Sequence, residues 1–178
     1  MKRRYTSLIV LACLIIAALA TMQALLRQYT DMADSPSAGA GRDRPPRRIT
    51  RPEADWQARL TPHQFNVARR GNTEEPHSGD YHDHTATGVY ACICCALPLF
   101  ASDAKYDAGT GWPSFRTPLN RHNLRASLEH QTGTTRTRIT CAACGARLGH
   151  LFADGPPPSG LRYSMNSAAL GFVPEGDN

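Results

Sequence analysis

Cys92 and Cys95 form one Cys-x-x-Cys pair and Cys141 and Cys144 form a second, with 45 residues between the pairs. Two residues between ligands let one tight turn aim both thiolates at a single tetrahedral ion, so the spacing predicts a zinc that staples two distant segments together. Two disulfides are the competing arrangement, because thiols commonly pair in an oxidising compartment. Gly145 directly after the second pair and Cys94 inside the first favour the metal, since disulfides would leave Cys94 as an odd thiol. Four thiolates fill the coordination shell, so one such ion per chain is structural and offers no position for water or substrate. Cys94, wedged between two ligands, reads as a bystander, with a redox-active thiol as the lesser alternative.

Around the cysteines the pattern is mainly β. Thr61 followed by Pro62 is a helix start, and Gly71 after Arg69 and Arg70 is a stop, which predicts a short helix over 62–70. Beyond Gly71 the helical period disappears. Segments such as 89–93, 136–140 and 161–166 alternate or favour strand formers between Gly, Pro and Asp clusters.

Three further stretches set the organisation. Lys2, Arg3 and Arg4 precede an apolar run from Tyr5 to Leu26, so residues 1–26 read as a signal peptide or signal anchor. Cleavage after Ala20 and retention as an anchor both stay open; either way the positive-inside rule leaves the rest of the chain outside, in the periplasm or held at the inner membrane. Residues 27–51 read as a disordered Pro/Arg-rich linker with few large apolar side chains to bury, and 52–178 as the folded domain. The first 51 residues carry nine Lys/Arg against three acids, and the remainder eleven against twelve. The net charge of +5 therefore belongs to the N-terminal part, and the domain lacks the basic stripe that nucleic-acid binding requires.

The run from Asp107 through Trp112 to Phe115, and the run from Gly145 to Leu170, resemble the two signature blocks of the B-type methionine sulfoxide reductases. Supporting matches around Leu60-Thr61-Pro62, Thr73-Glu74, Ser78-Gly79 and Tyr90-Ala91-Cys92 extend the resemblance over about 54–174. It implies two antiparallel β-sheets, short N-terminal helices, a zinc on the four cysteines, and methionine-R-sulfoxide in proteins or peptides as substrate, with a thioredoxin-like reductant if the chain is active. By the same resemblance Trp112 forms the pocket for the substrate methyl group with Phe115 beside it, His150 is a polar contact near the sulfoxide oxygen, and Arg162 and Asn166 flank the nucleophile position. On a strand Arg162, Ser164 and Asn166 project from one face, which independently groups three polar side chains.

The nucleophile position falls on Ser164, where the family keeps cysteine. That chemistry ends with the sulfoxide oxygen on the cysteine as a sulfenic acid; a serine oxygen accepting it would have to form a weak O–O bond, and an alcohol is the poorer nucleophile at the first step. Arg147 stands where the family has the first of two histidines, and arginine does not shuttle protons near neutral pH. His77 replaces the aromatic residue usual before Ser78-Gly79. Three functions follow as expectations: a reductase of the cell envelope that is impaired or inactive, a pseudoenzyme that binds methionine or its sulfoxide without turnover, and a zinc-stabilised scaffold.

Overall fold

The computed structural model describes residues 44–131 and 133–176. The signal segment 1–26 and most of the linker lie outside them. No helix among the described residues is long and apolar enough to cross a membrane.

Two short helices open the domain, α1 (Glu53–Gln57) and α2 (Pro62–Ala68). The Thr61 hydroxyl accepts from the Gln64 N–H and the Gln64 side chain accepts from the Thr61 N–H, a reciprocal cap with proline at the first helical position. The helix ends two residues short of the expected Arg70. Arg69 instead reaches Glu53 and the Cys144 carbonyl, fastening α2 to α1 and to the second cysteine turn. Packing onto the domain includes a residue before Pro52, because the Ile49 N–H donates to the Ala143 carbonyl at 2.8 Å and its side chain packs on the core. The linker therefore docks at its C-terminal end, where its one β-branched aliphatic residue is available for burial.

Nine strands follow among the described residues: β1 (Gly88–Cys92), β2 (Pro98–Ala101), β3 (Lys105–Tyr106), β4 (Ser114–Phe115), β5 (Leu124–Gln131), β6 (Thr134–Cys141), β7 (Arg147–Phe152), β8 (Arg162–Met165) and β9 (Leu170–Pro174). They form two antiparallel sheets, ordered β2-β1-β9 and β3-β4-β8-β7-β6-β5. The mainly β reading holds, and the three strand segments foreseen lie in β1, β6 and β8. The core fills between the sheets: Tyr90, Leu99 and Phe100 from the smaller one meet Phe115, Ile139, Leu148 and Met165 from the larger, all fully buried. Phe100 stacks on Phe115 at 4.3 Å between ring centres, and Tyr90 meets Phe115 edge-on at 5.1 Å.

Candidate functional site

The two Cys-x-x-Cys turns are built alike. Cys92 ends β1 and Cys141 ends β6, so each turn grows from a different sheet. In the first, the Cys92 N–H donates to Leu97 and the Ala96 N–H to Cys92; in the second, the Cys141 N–H donates to Ala146 and the Gly145 N–H to Cys141. Both turns pass through the left-handed region just after their last cysteine, at Ala96 (φ 59°) and Gly145 (φ 73°). All four sulfurs lie within 4.8 Å of one another, with Cys92 to Cys144 and Cys95 to Cys141 each 3.6 Å apart. Zinc–sulfur bonds of about 2.3 Å in a tetrahedron put sulfurs about 3.8 Å apart, whereas a disulfide needs about 2.05 Å. The donor set fits a structural zinc and does not fit two disulfides. Hydrogen bonds within the cluster hold the Cys144 and Cys141 thiols below their usual range and push Cys92 and Cys95 above it; a bound ion would take all four as thiolates.

A separate cavity of about 180 Å³ opens on the larger sheet, lined among others by Thr73, Trp112, His150, Phe152, Ser164 and Asn166. Register creates it. Ser114 of β4 pairs with Ser164 of β8, and Ser164 pairs with His150 of β7, so these side chains stand in one row on one face. The close approach of β7 and β8 depends on Gly149: a Cβ there would sit 2.1 Å from the Ser164 carbonyl oxygen. None of the five cysteines among the described residues lines this cavity.

Glu74 organises the walls from outside. Its carboxylate accepts from the N–H groups of Ser167 at 2.6 Å and Ala168 at 2.8 Å, its carbonyl accepts from Trp112 Nε1 at 3.2 Å, and its N–H donates to Asn166 Oδ1 at 3.1 Å. One buried residue thus fixes both Trp112 and Asn166. The other end of the Asn166 amide donates to the Leu148 carbonyl, so this side chain shapes the cavity while its polar ends stay engaged with backbone.

Glu129 on β5 was not foreseen. Its Oε1 accepts from Arg147 Nη2 at 2.6 Å and lies 3.5 Å from Arg138 Nη1, while its Oε2 lies 3.6 Å from His150 Nε2. The Arg147 hydrogen bond holds the Glu129 carboxyl below its ordinary value. Burial pushes the His150 imidazole down, and Glu129 partly opposes this. Arg147, in the histidine position, therefore anchors a carboxylate that faces the remaining histidine.

Arg162 flanks position 164 on β8 without lining the cavity, and Phe115 differs from expectation. Arg162 forks onto Asp154 through two 2.8 Å hydrogen bonds and lies 4.3 Å from the centre of the Phe152 ring, so it buttresses a cavity wall and does not line the cavity. Phe115 is fully buried in the core. It faces away from the cavity because neighbours on a strand point to opposite faces: Ser114 takes the site face of β4, which turns Phe115 toward Phe100 and the other sheet.

A two-sheet β domain, stapled by a four-cysteine metal site and carrying a tryptophan-walled pocket on its larger sheet, is the class that this geometry defines. Residues 60–174 match the SelR domain. The chain is 49% identical over 125 residues to the peptide methionine sulfoxide reductase MsrB of Herminiimonas arsenicoxydans, spanning 70% of this chain and 91% of that one. It is 48% identical over 132 residues to the MsrB of Methylibium petroleiphilum, spanning 74% and 96%. Against the MsrB of Pseudomonas fluorescens it is 50% identical over 120 residues, spanning 67% and 92%. The chain belongs to the SelR-domain family of B-type methionine sulfoxide reductases.

Proposed function

We propose that this domain recognises methionine-R-sulfoxide in proteins of the cell envelope and that its own residue 164 does not complete the reduction. The observation that carries the reading is a pocket lined by Trp112, His150 and Asn166 around position 164, with a serine there and no cysteine among the described residues of its lining. In the family reaction a thiolate takes the sulfoxide oxygen, the substrate sulfur is reduced to the thioether, and the thiol becomes a sulfenic acid that external thiols reduce. Ser164 has no two-electron oxidation of this kind available to it. Binding needs only the preserved parts: an indole wall for the methyl group, and a polar face for the sulfoxide oxygen. Export rests on Lys2, Arg3 and Arg4 followed by the apolar run to Leu26.

Turnover by this chain is the second reading, supported by the reductase names of relatives that align over nearly their whole length. It requires a thiol from outside the pocket, supplied by a thioredoxin-like partner. The two readings separate in one assay. Zinc-loaded protein with a methionine-R-sulfoxide peptide should show binding by calorimetry and no thioether product with either dithiothreitol or a thioredoxin-like reductant, while Ser164→Cys should produce it. Turnover by the native chain with either reductant refutes the first reading. An inert but folded Ser164→Cys that also fails to bind the peptide leaves the scaffold role.

A further inference from the structure

Beside the small cavity lies a larger basin of about 570 Å³, and Trp112 lines both. Titratable side chains bound the basin, His77, His82, Asp83, Lys105 and Asp107 among others. Its shared wall is fixed. The His77 N–H donates to the Gly111 carbonyl at 2.8 Å, with His77 itself at φ 62°. Gly111 is at φ 81°, and a Cβ there would lie 2.6 Å from the His77 ring, so only glycine lets the Trp112 loop seat against His77. With Trp112 also tied to the Glu74 carbonyl, the two cavities keep one relative position, and a ligand that spans them meets a preorganised surface.

Resting on the reading that the small cavity holds methionine sulfoxide, we infer that the basin is the subsite for the neighbouring polypeptide residue and that it selects a cationic side chain, lysine or arginine. An extended chain advances about 3.3–3.6 Å per residue, so a residue next to one seated at Ser164 emerges within the width of the Trp112 wall. The basin is far larger than one methionine side chain needs, and two carboxylates face one ammonium across it. Lys105 Nζ donates to the His82 carbonyl at 2.9 Å, which leaves its charge in place, so the two carboxylates exceed it by one negative charge. The Asp107 Oδ1 acceptor holds the Gly109 N–H at 2.8 Å, which leaves the second oxygen for a ligand. The Asp83 side chain is 79% exposed, with its Oδ2 lying 3.8 Å from His82 Nε2. A cation entering here finds one carboxylate charge in excess of the ammonium, and a carboxylate meets net repulsion.

The test uses the full, zinc-loaded chain at pH 8, where histidine charge stays out of the comparison, and low salt. Ligands are N-acetyl-methionine-R-sulfoxide amide and peptides placing Arg, Ala or Glu on either side of the sulfoxide, with affinities read by calorimetry. Arg peptides should bind about two- to fivefold more tightly than Ala peptides and Glu peptides more weakly, the size of an exposed ion pair. Asp83→Asn/Asp107→Asn should erase that order while leaving the affinity of the capped amino acid unchanged; the second of these changes keeps a side-chain oxygen to accept from the Gly109 N–H. The same ranking measured as kcat/KM in a Ser164→Cys background gives an independent readout. Peptides that all bind alike, or an Arg preference that survives the double substitution, overturn the inference and leave the sulfoxide-binding reading intact. Failure of even the capped amino acid to bind, with no Ser164→Cys turnover, overturns both.

Discussion

Replacing Glu74 with alanine tests whether one buried carboxylate holds the pocket together. Glu74 is 3% exposed, and its oxygens accept from the Ser167 and Ala168 N–H groups. Alanine strands both donors at the turn joining β8 to β9. An unsatisfied buried donor costs about 1–3 kcal/mol, so the pair and the vacated side-chain volume together amount to about 3–5 kcal/mol. For a domain of about 130 residues, unfolding entropy near 2.1 cal/mol/K per residue converts this to a fall in Tm of about 10–20 °C. Glu74→Gln keeps one acceptor but presents its amide N–H₂ to the other backbone donor, so it should also destabilise, by about half as much. Thermal and urea unfolding of the zinc-loaded proteins, followed by circular dichroism, measure both. A Glu74→Ala protein within about 1 kcal/mol of native refutes the argument, because water would then be satisfying the freed N–H groups at no cost.

Chelation should lower the Tm sharply, since metal-binding free energy in such a site is folding free energy; elemental analysis should find one zinc per chain, unchanged in Cys94→Ser, and metal-free protein holding two disulfides by mass spectrometry would refute the site. Stability should also fall with acid in two stages. Both His150 and Glu129 titrate lower in the folded state than in the unfolded one, so each contributes fully above its ordinary value, 6.5 and 4.5, and loses that contribution as pH drops toward its folded value. Arg147→Ala removes the main cause of the Glu129 shift and should flatten the stage below pH 4.5 relative to native protein; identical profiles in urea unfolding across pH 3–8 would contradict the Glu129 cluster.

The parts of this protein that were legible in the sequence are those whose geometry is local. A Cys-x-x-Cys turn carries its own hydrogen bonds and its own left-handed residue, so the four candidate ligands are legible in the spacing, while the sulfur separations of the folded chain exclude two disulfides. Thr61, Pro62 and Gln64 likewise cap α2 within one turn. Period-2 alternation was enough to put Arg162 and Ser164 on one face of a strand.

Contacts between strands were not legible, because register is set by the whole core. Phe115 follows the pocket tryptophan closely in sequence, yet the pairing of Ser114 with Ser164 turns it into the core. Glu129 meets Arg147 and His150 only because β5, β6 and β7 lie side by side and long side chains reach across β6. Glu74 reaches partners 92 to 94 residues away. The sequence by itself determined the candidate metal ligands, the strand content and the identity of residue 164. Tertiary structure alone decided which polar groups face that residue, since burial between two sheets fixes a register that no local propensity encodes.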